Sequence, residues 1–275
     1  MALIPNSVLA DGVEIPQLMF GTYLIPPGHT EGAVLTAFET GYRGIDTASV
    51  YGNEAGVGLA IRASGLKRED VFVTTKLWNT DQGAKVARAA LDASLDRLGL
   101  DHVDLYLIHW PAPTLGAFVD TWAALCELAE EGMIRSLGVS NFLPGHLDEV
   151  VAASGITPSL NQIELHPRLP QAELAAYCTE LGIAVQAWSP LAQGHVVGEP
   201  AVTRLAAKYG RTPAQVVLRW HLDRGHLLAC KTVLPERMAE NMSVFDFSLE
   251  PDDILALGSL PPRRYGPRPE TFVRD

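Results

Sequence analysis

The chain has 275 residues, a hydrophobic content of 47% and a formal net charge of −11. That length and apolar fraction allow a sizeable core in one large domain or two small ones, and no segment is polar or repetitive enough to read as disordered. The acidic balance, without a cluster of lysines or arginines, argues against nucleic acid as a partner, and the absence of any run of about 18 apolar residues argues against a membrane span.

Met1-Ala-Leu-Ile-Pro has neither a positive n-region nor a long apolar run, so no signal peptide is expected. Cys126, Cys178 and Cys230 are odd in number, widely spaced and set in apolar periodic segments. They read as reduced core residues of a cytoplasmic protein. Arg263, Arg264 and Arg268 are scattered among prolines and read as a solvated tail.

Residues 7–18 carry a hairpin signal, an Asp11-Gly12 pair between short alternating runs. Strand and helix patterns then take turns. Met19 to Tyr23 is the first strand, followed by a helix over Glu31 to Thr40. Ile45 to Ala48 precedes a helix over Glu54 to Ala63, Val71 to Leu77 precedes Ala84 to Leu98, and Val103 to Trp110 precedes Phe118 to Glu131. Ile134 to Ser140 is followed by Gly145 to Ala153, and Leu160 to His166 by Gln171 to Leu181. Ala184 to Ser189 leads into two helices, Pro200 to Tyr209 and Pro213 to Arg224. Leu227 to Lys231 is the eighth strand, with Glu236 to Ser243 behind it and Pro251 to Gly258 beyond. Eight short apolar strands alternating with helices predict an α/β fold, a single (β/α)8 TIM barrel across residues 1–275 with a C-terminal tail over 259–275.

In such a barrel the site lies at the C-terminal ends of the strands. Those ends carry Asp46 with Tyr51 in the following loop, Lys76 with Trp78, His109 with Trp110, Ser140 with Asn141, Gln162 with His166, Trp188 with Ser189, and Lys231 with Thr232. An aspartate in an apolar strand needs a partner, because an unpaired buried carboxylate costs several kcal/mol. Asp46 and Tyr51 alone fit either a structural hydrogen-bonded pair or a reactive one, and a single strand-end lysine or histidine fits a capping role as well. Their joint placement suggests carbonyl reduction, which delivers a hydride to carbon and a proton to oxygen. A tyrosine, with its ordinary pKa near 10, needs tuning for that work. An ammonium (Lys76) held by a carboxylate (Asp46) would favour the phenolate of Tyr51, and His109 would orient the carbonyl.

Gly44-Ile-Asp-Thr-Ala-Ser-Val-Tyr-Gly-Asn-Glu, Thr75-Lys-Leu-Trp-Asn, Asp104-Leu-Tyr-Leu-Ile-His-Trp-Pro, Gly138-Val-Ser-Asn-Phe, Asn161-Gln-Ile-Glu-Leu-His-Pro and Lys231-Thr to Asn241 resemble the signature blocks of the aldo-keto reductases, in order over residues 7 to 260. Ala187-Trp-Ser-Pro-Leu-Ala-Gln-Gly and Thr212-Pro-Ala-Gln-Val-Val-Leu-Arg-Trp-His-Leu are most similar to the bacterial 2,5-diketo-D-gluconate reductase group. The resemblance implies Tyr51 as general acid, assisted by Lys76, Asp46 and His109. It implies a dinucleotide extended across the barrel top: Gly21 and Thr22 at the first strand end, Ser140, Asn141 and Gln162 at the carboxamide, and Trp188 stacked on the nicotinamide. Ser189, Leu191 and Gln193 would follow the pyrophosphate, Lys231, Thr232 and Arg237 the 2′-phosphate, and Asn241 the adenine. Tyr23, Trp78, Trp110 and the tail would shape the substrate pocket.

No Gly-x-Gly-x-x-Gly follows a strand, so a Rossmann site is not expected. Met19 stands where many relatives have glycine, Cys230 where proline is common, and Leu234 where an arginine can occur. NADPH is the expected cofactor, with NADH use left open. A monomer acting on small carbonyl compounds, including keto acids such as 2,5-diketo-D-gluconate, is expected, with no bound metal. The alternatives are a Schiff-base lyase using Lys76 as nucleophile and a non-catalytic nucleotide-binding regulatory protein on the same fold. With dispersed histidines and no His-Glu-x-x-His, a metal-dependent hydrolase fits less well.

Overall fold

The structure, a computed structural model, describes residues 4–273. It opens with the hairpin: β1 (Asn6–Val8) pairs antiparallel with β2 (Glu14–Pro16). Asp11-Gly12 lies within a longer connection, where Gly12 N–H donates to Leu9 C=O and Leu9 N–H to Val13 C=O, each at 2.9 Å. The hairpin caps the N-terminal end of the barrel. Leu9 and Ile15 join Met19, Phe72, Leu105, Leu107, Leu160 and Leu227 in a separate apolar cluster there, and Asp11 accepts a 2.6 Å bond from Ser136 Oγ.

The barrel follows as β3 (Leu18–Gly21), α1 (Pro27–Thr40), β4 (Gly44–Asp46), α2 (Glu54–Ala63), β5 (Phe72–Leu77), α3 (Ala84–Leu98), β6 (Val103–Ile108), α4 (Phe118–Glu130), β7 (Ile134–Ser140), α5 (Pro144–Ser154), β8 (Leu160–Glu164), α6 (Ala172–Glu180), β9 (Ala184–Trp188), α7 (Pro200–Tyr209), α8 (Pro213–Asp223), β10 (Leu227–Cys230), α9 (Pro235–Met242) and α10 (Pro251–Gly258). β3 to β10 close into one barrel, with β10 paired to β3. All neighbouring pairs in it are parallel. The predicted (β/α)8 architecture and its hairpin are therefore present.

Most strands are shorter than their apolar runs suggest. β3 stops at Gly21 rather than Tyr23, β6 at Ile108 rather than Trp110, and β8 at Glu164 rather than His166. Apolar composition continues past the last ladder bond because those residues line the barrel mouth. α1 begins at Pro27, ahead of the expected Glu31, since proline's fixed φ and missing N–H suit a first helical turn. It ends at Gly41, whose φ of +118° suits only glycine.

Between strands and helices lies the main core, with Trp122, Trp220, Tyr42, Tyr106 and Phe20 among its largest fully buried side chains. The three cysteines are buried and unpaired, as expected. No helix among the described residues is long and apolar enough to cross a membrane.

The tail departs from the solvated reading. Arg264 Nη1 reaches Glu164 at 3.3 Å, the Tyr265 and Gly266 amides donate to the same carboxylate, and Phe272 packs on Trp110. The tail is a strap across the C-terminal ends of the strands, held largely through main-chain donors that an arginine count does not reveal.

Candidate active site

Asp46 closes β4, and Lys76 lies on β5 with no exposed surface. The Lys76 ammonium donates to Asp46 Oδ1 at 2.7 Å and to the Thr47 carbonyl at 2.8 Å. Asp46 Oδ2 accepts a 2.7 Å bond from the Gln162 amide of β8, which also donates to Gln186 Oε1 of β9 at 2.7 Å. Side chains from four strands thus close a polar floor beneath the barrel mouth. Gln186 did not emerge from the sequence. Its signal was a polar residue inside Ala-Val-Gln-Ala-Trp, the same kind of anomaly that marked Asp46.

The loop after β4 makes a single 3-10 turn over Ser49–Tyr51. It is fixed from below by Ser49 Oγ, which donates to the Lys76 carbonyl at 3.0 Å. Asn53, fully buried, secures the other side by donating to the Thr22 and Ile25 carbonyls at 2.9 and 3.1 Å. These contacts hold the Tyr51 ring with its centroid 5.2 Å from Lys76 Nζ. The His109 ring meets it edge-on at 5.7 Å. All four residues assigned to chemistry therefore converge.

Their electrostatics differ from the expectation in one respect. The Tyr51 pKa is pushed well above its ordinary value, first by burial and then by the Asp46 charge and Tyr23. The sequence predicts the opposite direction, with Lys76 favouring the phenolate. At rest the phenol keeps its proton, because burial penalises the phenolate and the Asp46 charge adds to that penalty. Burial lowers the Lys76 pKa and Asp46 opposes that shift. Burial and then the neighbouring Lys76 hold His109 well below its usual range, as a neutral imidazole.

The other assigned residues surround this centre. Tyr23, more than half exposed, packs on Tyr51 at 5.1 Å. Trp78 meets His109 at 5.0 Å, and Trp110 meets Trp188 at 6.4 Å. Ser140 Oγ donates to the Gln162 carbonyl at 2.8 Å. Asn141, with a φ of +63°, donates to the His109 carbonyl at 3.0 Å and accepts from the Trp188 indole at 2.9 Å. Trp188 is therefore oriented by the residue beside Ser140.

Gly21 and Thr22 are buried at the end of β3, Gly21 facing Lys231 and Thr22 Oγ1 donating to the Asp46 carbonyl at 3.2 Å. After β9 the chain runs through Ser189, Ala192 and Gln193, all with positive φ. Such strained backbone needs support. His221 of α8 supplies some, donating from Nε2 to the Pro190 carbonyl at 3.1 Å. Leu191 is half-buried, and Gln193, Lys231 and Arg237 are exposed. Thr232 Oγ1 accepts from the Leu234 amide at 3.2 Å. Asn241, assigned to the adenine, is buried with its amide donated to Cys230 Sγ at 3.4 Å.

Residues 18–260 match the aldo/keto reductase family. The chain belongs to that family. It is therefore an NAD(P)H-dependent oxidoreductase of the aldo-keto reductase kind. It is 51% identical over 269 residues to an aldo-keto reductase of Mycolicibacterium smegmatis, covering 98% of each chain. It is 47% identical over 278 residues to the methylglyoxal reductase DkgA of Yersinia pestis, covering 100% of each. Among solved structures, a mutant of Gox0644 in complex with NADPH shares 40% identity at a TM-score of 0.94, covering 98% of this chain and 99% of that one.

The residues present fit a phosphorylated dinucleotide. Lys231 and Arg237 are exposed and make no ion pair among the described residues. They are cations left open beside the barrel mouth of an acidic protein, as a phosphate dianion requires.

Proposed function

We propose that this aldo-keto reductase uses NADPH to reduce small aldehydes, ketones and keto acids to alcohols, with Tyr51 as the general acid. The observation carrying the reading is the Tyr51 ring, 5.2 Å from an ammonium that Asp46 holds at 2.7 Å and edge-on to the His109 ring. When bound, NADPH supplies the hydride that the carbonyl carbon receives. Lys231, Thr232 and Arg237 would hold its 2′-phosphate, the Ser189 to Gln193 loop its pyrophosphate, and Trp188 its ring.

Tyr51 gives its proton to the carbonyl oxygen as negative charge develops there. The Lys76 ammonium stabilises the phenolate left behind, and Asp46 keeps that ammonium charged and in place. His109, neutral, can donate a hydrogen bond to the same oxygen. Lys76 is unsuited to the Schiff-base alternative: its nitrogen is ion-paired, and both its partners lie on the floor rather than in the mouth.

The test follows NADPH absorbance with a panel of aldehydes, ketones and keto acids. Tyr51→Phe should lower kcat/KM by about 10²- to 10⁴-fold while leaving the thermal midpoint unchanged. Wild-type turnover in that variant would remove Tyr51 from the acid role.

A further inference from the structure

Glu164 ends β8 with its side chain fully buried, a costly position for a carboxylate unless every lone pair is used. Its Oε1 accepts from the Tyr265 amide at 2.7 Å and from His166 Nε2 at 3.1 Å. Its Oε2 accepts from the Gly266 amide at 3.0 Å and from Arg264 Nη1 at 3.3 Å. Three of these four donors belong to the tail, and two are main-chain amides.

The tail is held closely at this point. A Cβ on Gly266 would sit 2.3 Å from the Trp188 ring and 2.9 Å from Glu164 Oε2, so the backbone passes where only glycine fits. On one side of the clasp Tyr265 stacks on His195 at 4.7 Å with the rings 2° from parallel. Beyond it, Phe272 packs 4.5 Å from Trp110 and 6.2 Å from Trp78, the ring that abuts His109. Phe272 is thereby one wall of the mouth through which a carbonyl would reach Tyr51.

We propose that Glu164 is a positioning residue for substrate selection: by fastening the tail at Tyr265 and Gly266 it holds Phe272 against Trp78 and Trp110, building an aromatic slot that favours aldehydes carrying a flat apolar ring. The inference rests on the carbonyl-reductase reading of this site. Glu164 touches neither the proposed acid nor the reacting carbonyl. Its effect is confined to where the tail lies, and so to KM for substrates large enough to meet Phe272.

The test compares benzaldehyde with propanal in the NADPH assay, using full-length wild type, the isosteric Glu164→Gln, Phe272→Ala and their combination. Glu164→Gln turns an acceptor into a donor facing the tail amides. It should lose roughly tenfold in kcat/KM for benzaldehyde, mainly through KM, while propanal changes by less than about twofold. Phe272→Ala should show the same split, and the double variant should lose no more than either alone.

Trypsin cleavage of the Arg264–Tyr265 bond gives a readout independent of turnover, and it should accelerate several-fold in Glu164→Gln. An unchanged benzaldehyde-to-propanal ratio, or equal losses on both aldehydes, would overturn selection by the clasp. Unchanged cleavage would overturn the clasp itself. If the wild type turned over neither aldehyde while Glu164→Gln was cut faster, the substrate assignment would fall and the fastening would stand.

Discussion

Lys76 has no exposed surface, and its ammonium is tolerated there because Asp46 and the Thr47 carbonyl both accept from it. Removing one partner leaves a charge with no water and no counterion, which costs about 3–5 kcal/mol, whereas removing both charges together costs less. Asp46→Leu should therefore lower the urea midpoint strongly, and adding Lys76→Met should recover part of the loss. A double variant less stable than Asp46→Leu alone would show that the pair is not the source. At this scale the sequence was informative where an ionisable side chain interrupted an apolar strand, as Asp46 and Lys76 do. The direction of the Tyr51 pKa was not legible, since it depends on the depth of burial and on the side from which Asp46 faces the ring. Gln186 was not legible either, because one glutamine in a strand reads equally well as an outward-facing residue.

Among the elements, α2 lies against the end of α3 through a glycine. A Cβ on Gly58 would meet the Leu98 carbonyl oxygen at 2.0 Å and the Leu98 carbonyl carbon at 2.6 Å. Neither is a flexible side chain, so the helices themselves would have to part. Overpacking of this kind costs about 1–3 kcal/mol or more, which exceeds the roughly 1 kcal/mol that alanine gains over glycine in a helix. Gly58→Ala should accordingly lower the thermal midpoint followed by circular dichroism; a rise would mean that the α2–α3 contact is looser than described. The alternation of strands and helices was legible because most barrel strands are short and largely apolar and many helices begin at proline. Strand ends were not legible because several mouth residues, such as Trp110 and Leu165, are as apolar as the ladder that precedes them. The resemblance places the tail at the pocket, but its fastening was not legible because it uses the Tyr265 and Gly266 amides, which any sequence would supply.

Taken whole, the molecule carries buried imidazoles behind the loop that follows β9. His221 lies on α8, and His226 just before β10 is pushed down to about 4, first by burial and then by Arg224. His221 is also held well below its usual range, by burial and then by His226. The unfolded chain takes up protons near pH 6.5 while the folded one resists, so these groups favour folding above that pH. Their contribution is lost as pH falls from about 6.5 toward the folded value of about 4. For His226 alone this amounts to on the order of 3 kcal/mol. Urea midpoints measured between pH 7 and 4 should fall steadily, and His226→Gln should flatten the slope; a slope identical to wild type would exclude His226 as a contributor.

The Gln162 amide has two hydrogens, and both are committed, one to Asp46 and one to Gln186. Its side-chain oxygen, Oε1, unlike its main-chain carbonyl, accepts no bond among the described residues, so toward the mouth this side chain can only receive. As the partner of a nicotinamide head group it would read the amide's N–H₂ and meet a carboxylate in that place with acceptor facing acceptor. A dinucleotide whose amide has become the free acid should therefore bind much more weakly than NADP⁺ in a fluorescence titration, and equal affinity would mean that Gln162 does not face that group. The proton-donor floor and the chemical proofreading of the cofactor would then share one immobilised side chain.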